Sequence, residues 1–155
     1  MKLISILFVL FFSHTGWAGN WAFQGGLGMT EGAANLALDL DYKSRPRQNI
    51  GAYFQLGTEK TGVREQFWSL GADIKVFFGP KGWRLYLAPG FGVTSFTLNN
   101  GESETTLGTL MKVGTLHQLS RDLFFGLEYL MYFNWFAEDA PAGFQVMNAT
   151  LRIEF

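Results

Sequence analysis

Phe144-Gln-Val-Met-Asn-Ala-Thr-Leu-Arg-Ile-Glu-Phe155 is the stretch that decides the fold. Counting back from Phe155, Ile153, Leu151, Ala149 and Met147 share its face, while Glu154, Arg152, Thr150 and Asn148 take the other. A repeat of two residues is the mark of a β-strand, whose side chains point alternately to opposite faces. One face here is apolar and the other polar. The stretch ends on an aromatic residue.

The chain has 155 residues, one domain's worth. With 0 cysteines there is no disulfide framework, no thiolate metal site and no lipobox. A formal net charge of −1 offers no basic excess to neutralise phosphates, so no nucleic-acid partner is expected. Aromatic residues make up 17 % and charged residues 16 %, against roughly 25 % charged in an ordinary soluble domain. At the N-terminus, Lys2 precedes the apolar run Leu3 to Phe12, and Gly16-Trp17-Ala18 is a small-x-small cleavage site. That run is short of the ~20 residues a spanning helix needs. Residues 1–18 therefore read as a cleavable signal peptide, and residues 19–155 as an exported domain.

Beyond the signal, alternation recurs in eight segments, roughly 20–29, 33–43, 48–57, 66–78, 83–95, 105–117, 122–135 and 144–155. Each is near the ~9–11 residues with which a tilted strand crosses a bilayer. Short links fall at 44–47, 79–82 and 119–122, and longer polar ones at 58–65, 96–104 and 136–143. The link 30–32 is also short. One face of every segment is free of charge, as in Leu36-x-Leu38-x-Leu40-x-Tyr42 and Leu70-x-Ala72-x-Ile74-x-Val76-x-Phe78. The other face holds Asp39, Asp41, Lys43, Asp73, Lys75, Arg84, Lys112, Glu128, Arg152 and Glu154, together with many glycines. Pro89, in mid-segment, withholds a ladder hydrogen bond, so Ala88-Pro89-Gly90 reads as a bulge or kink.

Bulk decides which face is inside. A secreted lipocalin-type barrel would turn its apolar face inward. The bore of an eight-stranded barrel is only just wide enough for side chains to fill, and this many large apolar side chains exceed it. The glycines and a balanced ion network fit. The apolar face must then meet lipid, and a closed barrel is one of two backbone solutions a bilayer allows. Trp21, Tyr42, Phe78, Trp83 and Phe155 fall at one set of strand ends, and Trp68 and Trp135 at the other, as aromatic girdles should.

In its aromatic C-terminus, strand pattern and girdles the chain resembles the small eight-stranded outer-membrane β-barrel family, typified by the OmpA transmembrane domain and OmpX. The expected fold is all-β: an eight-stranded antiparallel up-and-down transmembrane barrel after a cleavable signal peptide. The resemblance implies the outer membrane of a Gram-negative cell, with both termini in the periplasm. It also implies outer-membrane lipid and lipopolysaccharide as surroundings, a monomer, and Phe155 as the signal read by the barrel assembly machinery.

No catalytic constellation stands out. Lipid A-modifying barrels resemble serine hydrolases or depend on His, Asp and Ser near the outer loops. Here the exported part has the single histidine His117, in His117-Gln-Leu-Ser120 near a turn at the terminal end. Asp39 and Asp41 form a carboxylate pair, but bases share their face, so a structural ion network accounts for them. No cofactor or metal is expected. The acidic pairs Glu102/Glu104 and Glu138/Asp139 read as solvated loop tips. The sequence thus favours a barrel with a plugged, charge-networked interior and a structural or surface-interaction role. The alternative is a lipid A-modifying enzyme, or a barrel that binds or transports a small hydrophobe, since Tyr53, Tyr86, Phe124, Leu130, Tyr132 and Phe144 also face inward.

Overall fold

Strands that bury one face and expose the other can satisfy every backbone group by closing on themselves. A computed structural model of the chain, describing residues 19–30, 33–58, 64–80, 82–98, 101–136, 138 and 142–155, shows this closure. Eight strands run β1 (Trp21–Thr30), β2 (Ala33–Arg45), β3 (Gln48–Thr58), β4 (Arg64–Phe78), β5 (Trp83–Leu98), β6 (Ser103–Gln118), β7 (Leu123–Trp135) and β8 (Gly143–Glu154). Each pairs antiparallel with the next, and β8 returns to β1 to make a closed barrel. The expected signal peptide, residues 1–18, lies outside the described residues, as do Glu31, Glu59, Lys60, Lys81 and Asp139.

The alternation read from the sequence sets inside and outside. Leu27, Met29, Ile50, Leu70, Phe91, Leu127, Phe133 and Met147 are exposed on the outer surface, whereas Asp39, Asp41, Asp73, Lys75, Lys112, Glu128 and Arg152 are all at least 97 % buried. All five girdle aromatics, Trp21, Tyr42, Trp68, Trp83 and Trp135, lie on the outward face, with the rings of Trp21 and Tyr42 edge to face at 5.3 Å. Backbone closure at the terminal rim is completed by the Phe155 N–H, which donates to the Trp21 carbonyl at 2.9 Å.

Two expectations need correction. The polar stretch 96–104 is mostly strand. Pairing continues through Phe96↔Glu104 and Thr97↔Ser103, leaving 99–102 as the connection. The Phe96 side chain turns into the barrel, fully buried, and that burial carries the hairpin upward. Of the bulge or kink expected at Ala88-Pro89-Gly90, the bulge is not found. The register with β6 is unbroken at Pro89↔Met111, and on the other side Asp73↔Gly90 and Val76↔Leu87 keep one register. Near Pro89, pairing to β4 lapses at the positions between them, while the one register shift of this ladder lies at Arg64/Gln66. A proline lacks an N–H, so one local gap in the ladder accommodates it without an inserted residue.

Inward glycines make room for inward aromatic rings. A Cβ on Gly114 would lie 2.3 Å from the Tyr86 ring, and one on Gly71 or Gly92 would meet the Tyr53 hydroxyl at 2.6 or 2.5 Å. Gly114→Val is therefore expected to destabilise the barrel by about 1–3 kcal/mol through overpacking. Equilibrium urea unfolding in lipid vesicles reads that loss, and unchanged stability would mean that Tyr86 is free to move aside.

Candidate functional site in the barrel lumen

Because the polar faces of all eight strands point inward, the lumen collects the charges that the sequence scatters along the chain. Asp39 and Asp41 of β2 form one side of it. Lys75 of β4 reaches both, at 2.7 Å to Asp39 and 3.0 Å to Asp41. Lys112 of β6 lies 2.7 Å from Asp39 and 2.8 Å from Asp73. Its ammonium also sits 4.7 Å from the centre of the Tyr53 ring. Arg152 of β8 pairs with Asp41 and, through Nε, with Glu154 at 3.1 Å. Nearer the terminal rim, Glu154 also holds Arg84 at 3.0 Å and Lys43 at 3.4 Å. Each sequence-predicted cation thus meets at least one of the predicted acids.

Glu128 is held differently, by neutral donors. The Tyr86 hydroxyl donates to it at 2.6 Å, Gln24 Nε2 at 3.1 Å and Asn148 Nδ2 at 3.5 Å. Buried ionisable groups are costly unless paired and hydrogen-bonded; the acids of β2 meet both conditions, whereas Glu128 of β7 has the hydrogen bonds alone.

The loop-side half of the lumen has another chemistry. Tyr53, Phe67, Phe96, Leu110, Leu130, Tyr132 and Val146 form a buried apolar cluster with Phe144 packed against it. Phe144 stacks on Tyr132 at 4.3 Å between ring centres and meets Phe67 edge to face at 4.8 Å. A second cluster, Phe77, Tyr86, Ala88, Leu116 and Phe124, lies toward the terminal end. Sequence reading placed Tyr53, Tyr86, Phe124, Leu130, Tyr132 and Phe144 inward, but missed Phe67, Phe77, Phe96, Leu110, Leu116 and Val146. Their parity in the strands was the available signal.

In a closed ring of eight strands, β1 faces β5 across the bore, as β2 faces β6, β3 faces β7 and β4 faces β8. Every one of these four diameters is bridged by side chains. Gln24 of β1 donates to the Tyr86 hydroxyl of β5 at 3.1 Å, and Lys112 of β6 reaches Asp39 of β2 at 2.7 Å. The Tyr132 hydroxyl of β7 donates to Gln55 of β3, and the rings of Phe67 in β4 and Phe144 in β8 are in contact.

His117 stands on the outward face, exposed, with Trp83 and Phe125 as its strand neighbours. Among the described residues no group of three or more His, Cys, Asp and Glu side chains is arranged to hold a metal ion.

Comparison with known proteins agrees with this architecture. The chain is similar in fold to the N-terminal β-barrel domain of Pseudomonas aeruginosa OprF, with a TM-score of 0.73 and 12 % identity over 88 % of this chain and 98 % of that one. It is similar also to Neisserial surface protein A, with a TM-score of 0.68 and 11 % identity over 88 % and 95 % of the two chains. The outer membrane enzyme PagL aligns with a TM-score of 0.52 and 14 % identity over 86 % and 99 %. No curated protein sequence matches. The family model of the outer membrane protein beta-barrel domain matches residues 8–152. With that match and a closed barrel whose lipid-compatible face points outward, the chain belongs to the outer membrane protein β-barrel family.

Proposed function

We propose that this outer-membrane barrel neither conducts nor catalyses, and that its role is structural or interactive: envelope integrity, or surface contact through its loops. One observation carries the reading, namely the side-chain bridges across all four diameters of the bore. Side chains that cross the interior in every direction argue against an open aqueous path, and separating the buried pairs to make one is costly. Reconstituted in planar bilayers, the purified barrel is expected to give no open-channel steps above leak. Steady conductance of porin type would overturn the proposal.

The lipid A-modifying alternative draws little support. PagL shares the fold, but a fold alone does not carry a function. The only histidine after residue 18 faces outward between two aromatic residues, away from the lumen acids. A small hydrophobe in the lumen fares no better, because the loop-side half is occupied by its own packed rings.

The same reading takes residues 1–18 as the export signal of a Gram-negative protein and the barrel as a monomer in outer-membrane lipid and lipopolysaccharide. Phe155 is taken as the assembly signal. Its side chain is 40 % exposed, and it sits beyond the last strand at the rim. Deleting Phe155 is expected to lower the amount of barrel in the outer membrane several-fold. The refolded protein should keep its stability to within about 1 kcal/mol. Equal membrane levels with and without Phe155 would remove that role.

A further inference from the structure

The terminal mouth of the barrel is a basic chamber of about 950 Å³, lined in part by Lys43, Arg45, Arg47, Arg84, Arg121 and Glu154. Lys43, Arg45, Arg47, Arg84 and Arg121 face Glu154 there, and Lys43 also donates to the terminal oxygen of Phe155 at 3.4 Å, so cations outnumber acids. Glu154 is already shared among Arg84 at 3.0 Å, Arg152 at 3.1 Å and Lys43 at 3.4 Å. Among the described residues, Arg45, Arg47 and Arg121 have no carboxylate within 4.0 Å. The chamber wall is built rather than loose. Arg84 lies over the Phe124 ring at 4.4 Å and the Phe77 ring at 5.9 Å while its Nη1 donates to Glu154 at 3.0 Å, which fixes its plane. Asn49, another lining residue, is buried.

We propose that this mouth is an anion site that takes phosphoryl groups. Guanidinium forks match phosphate oxygens two at a time, and three forks here are without a carboxylate. The volume is that of a small-molecule pocket and exceeds a lone phosphate, so the ligand is a phosphate-bearing organic anion or headgroup. Two sources share that chemistry. The outward aromatic rings of Trp21, Tyr42, Phe78 and Trp83 place this rim at headgroup depth, where an anionic phospholipid could supply the phosphate. A soluble phosphorylated compound on the same side of the membrane is the other source.

The test compares the full-length mature barrel with an Arg45→Gln/Arg47→Gln/Arg121→Gln variant, both in a neutral glucoside detergent. Pyrophosphate binding is followed by calorimetry, and retention of phosphatidylglycerol against phosphatidylcholine by native mass spectrometry. The expected result is binding by the parent that weakens at least about tenfold in the variant, a change equivalent to ~1.4 kcal/mol. Pyrophosphate bound without lipid retention assigns the soluble source, and preferential phosphatidylglycerol retention assigns the membrane. Folding of the variant is checked by its resistance to unboiled SDS. Should it fail to fold, Arg121→Gln alone, in the 119–122 connection outside the strands, must move binding in the same direction. A parent that binds neither probe, or a folded variant that binds as tightly, overturns the proposal.

Discussion

Lys112→Met is expected to cost about 3–5 kcal/mol of folded stability, the largest effect of any single substitution argued from this structure. Lys112 lies between two buried carboxylates, 2.7 Å from Asp39 and 2.8 Å from Asp73. Asp39 would keep Lys75 at 2.7 Å, but among the described residues Asp73 has no second cation within 4.0 Å. Methionine matches the lysine stem in shape, so the loss isolates charge from packing. The diagnostic is the double variant Lys112→Met/Asp73→Asn, which removes the stranded acid as well. It should recover a substantial part of the loss, since the two residues are in contact and their effects cannot add. Urea unfolding in vesicles, followed by tryptophan fluorescence, measures all three. If the single variant is as stable as the parent, the lumen ion pairs contribute nothing that water could not replace.

Leu38→Arg should cost about 2–4 kcal/mol and hinder insertion, because Leu38 lies on the outward face near the middle of β2. The same change at Phe78, the last residue of β4, should cost only about 0–1 kcal/mol. Depth is the variable: near an interface an arginine reaches the headgroups, and near the midplane it cannot without distorting the bilayer. Equal costs at the two positions would mean that the outward face does not contact a hydrocarbon layer. Outer-membrane yield of the two variants gives the same comparison in cells.

The barrel was legible in the sequence because its rule is local. Period two survives in every strand, and the polarity of each face can be read without knowing any partner. The hairpin tip was misjudged because Thr94-Ser95-Phe96-Thr97 and Ser103-Glu104-Thr105-Thr106 are polar on both sides of the strand. Alternation there carries no contrast, and the inward Phe96 looks like a loop residue. The inward set of charges was also readable, since ten ionisable residues shared one parity. Which acid meets which base was not. Lys112 and Asp39 are 73 positions apart and touch only once all eight registers are set. The aromatic half of the lumen was hidden for a different reason. A rule that assigns inside by polarity must misplace Phe67 and Phe96, and for Phe67 the clue lay in the glycine opposite it. A Cβ on Gly57 would fall 2.4 Å from the Phe67 ring. The basic chamber at the mouth was not legible, because Arg121 falls far from Arg45 and Arg47 in the chain and the curvature that gathers them belongs to the closed sheet.

The bridges across the bore bear on how the barrel knows it has closed correctly. β8 meets β1 at Gln24↔Arg152 and Gly26↔Thr150. Sliding β8 by two residues would keep every apolar side chain on the lipid side, and the bilayer could not tell the two closures apart. Inside, the slip would carry Arg152 roughly 7 Å along the wall, away from Asp41, and Glu154 away from Arg84 and Lys43. The outer surface thus specifies that a barrel forms, while the ion pairs within proofread its shear. Variants with a neutralised lumen should tolerate misaligned closures that the parent chain rejects.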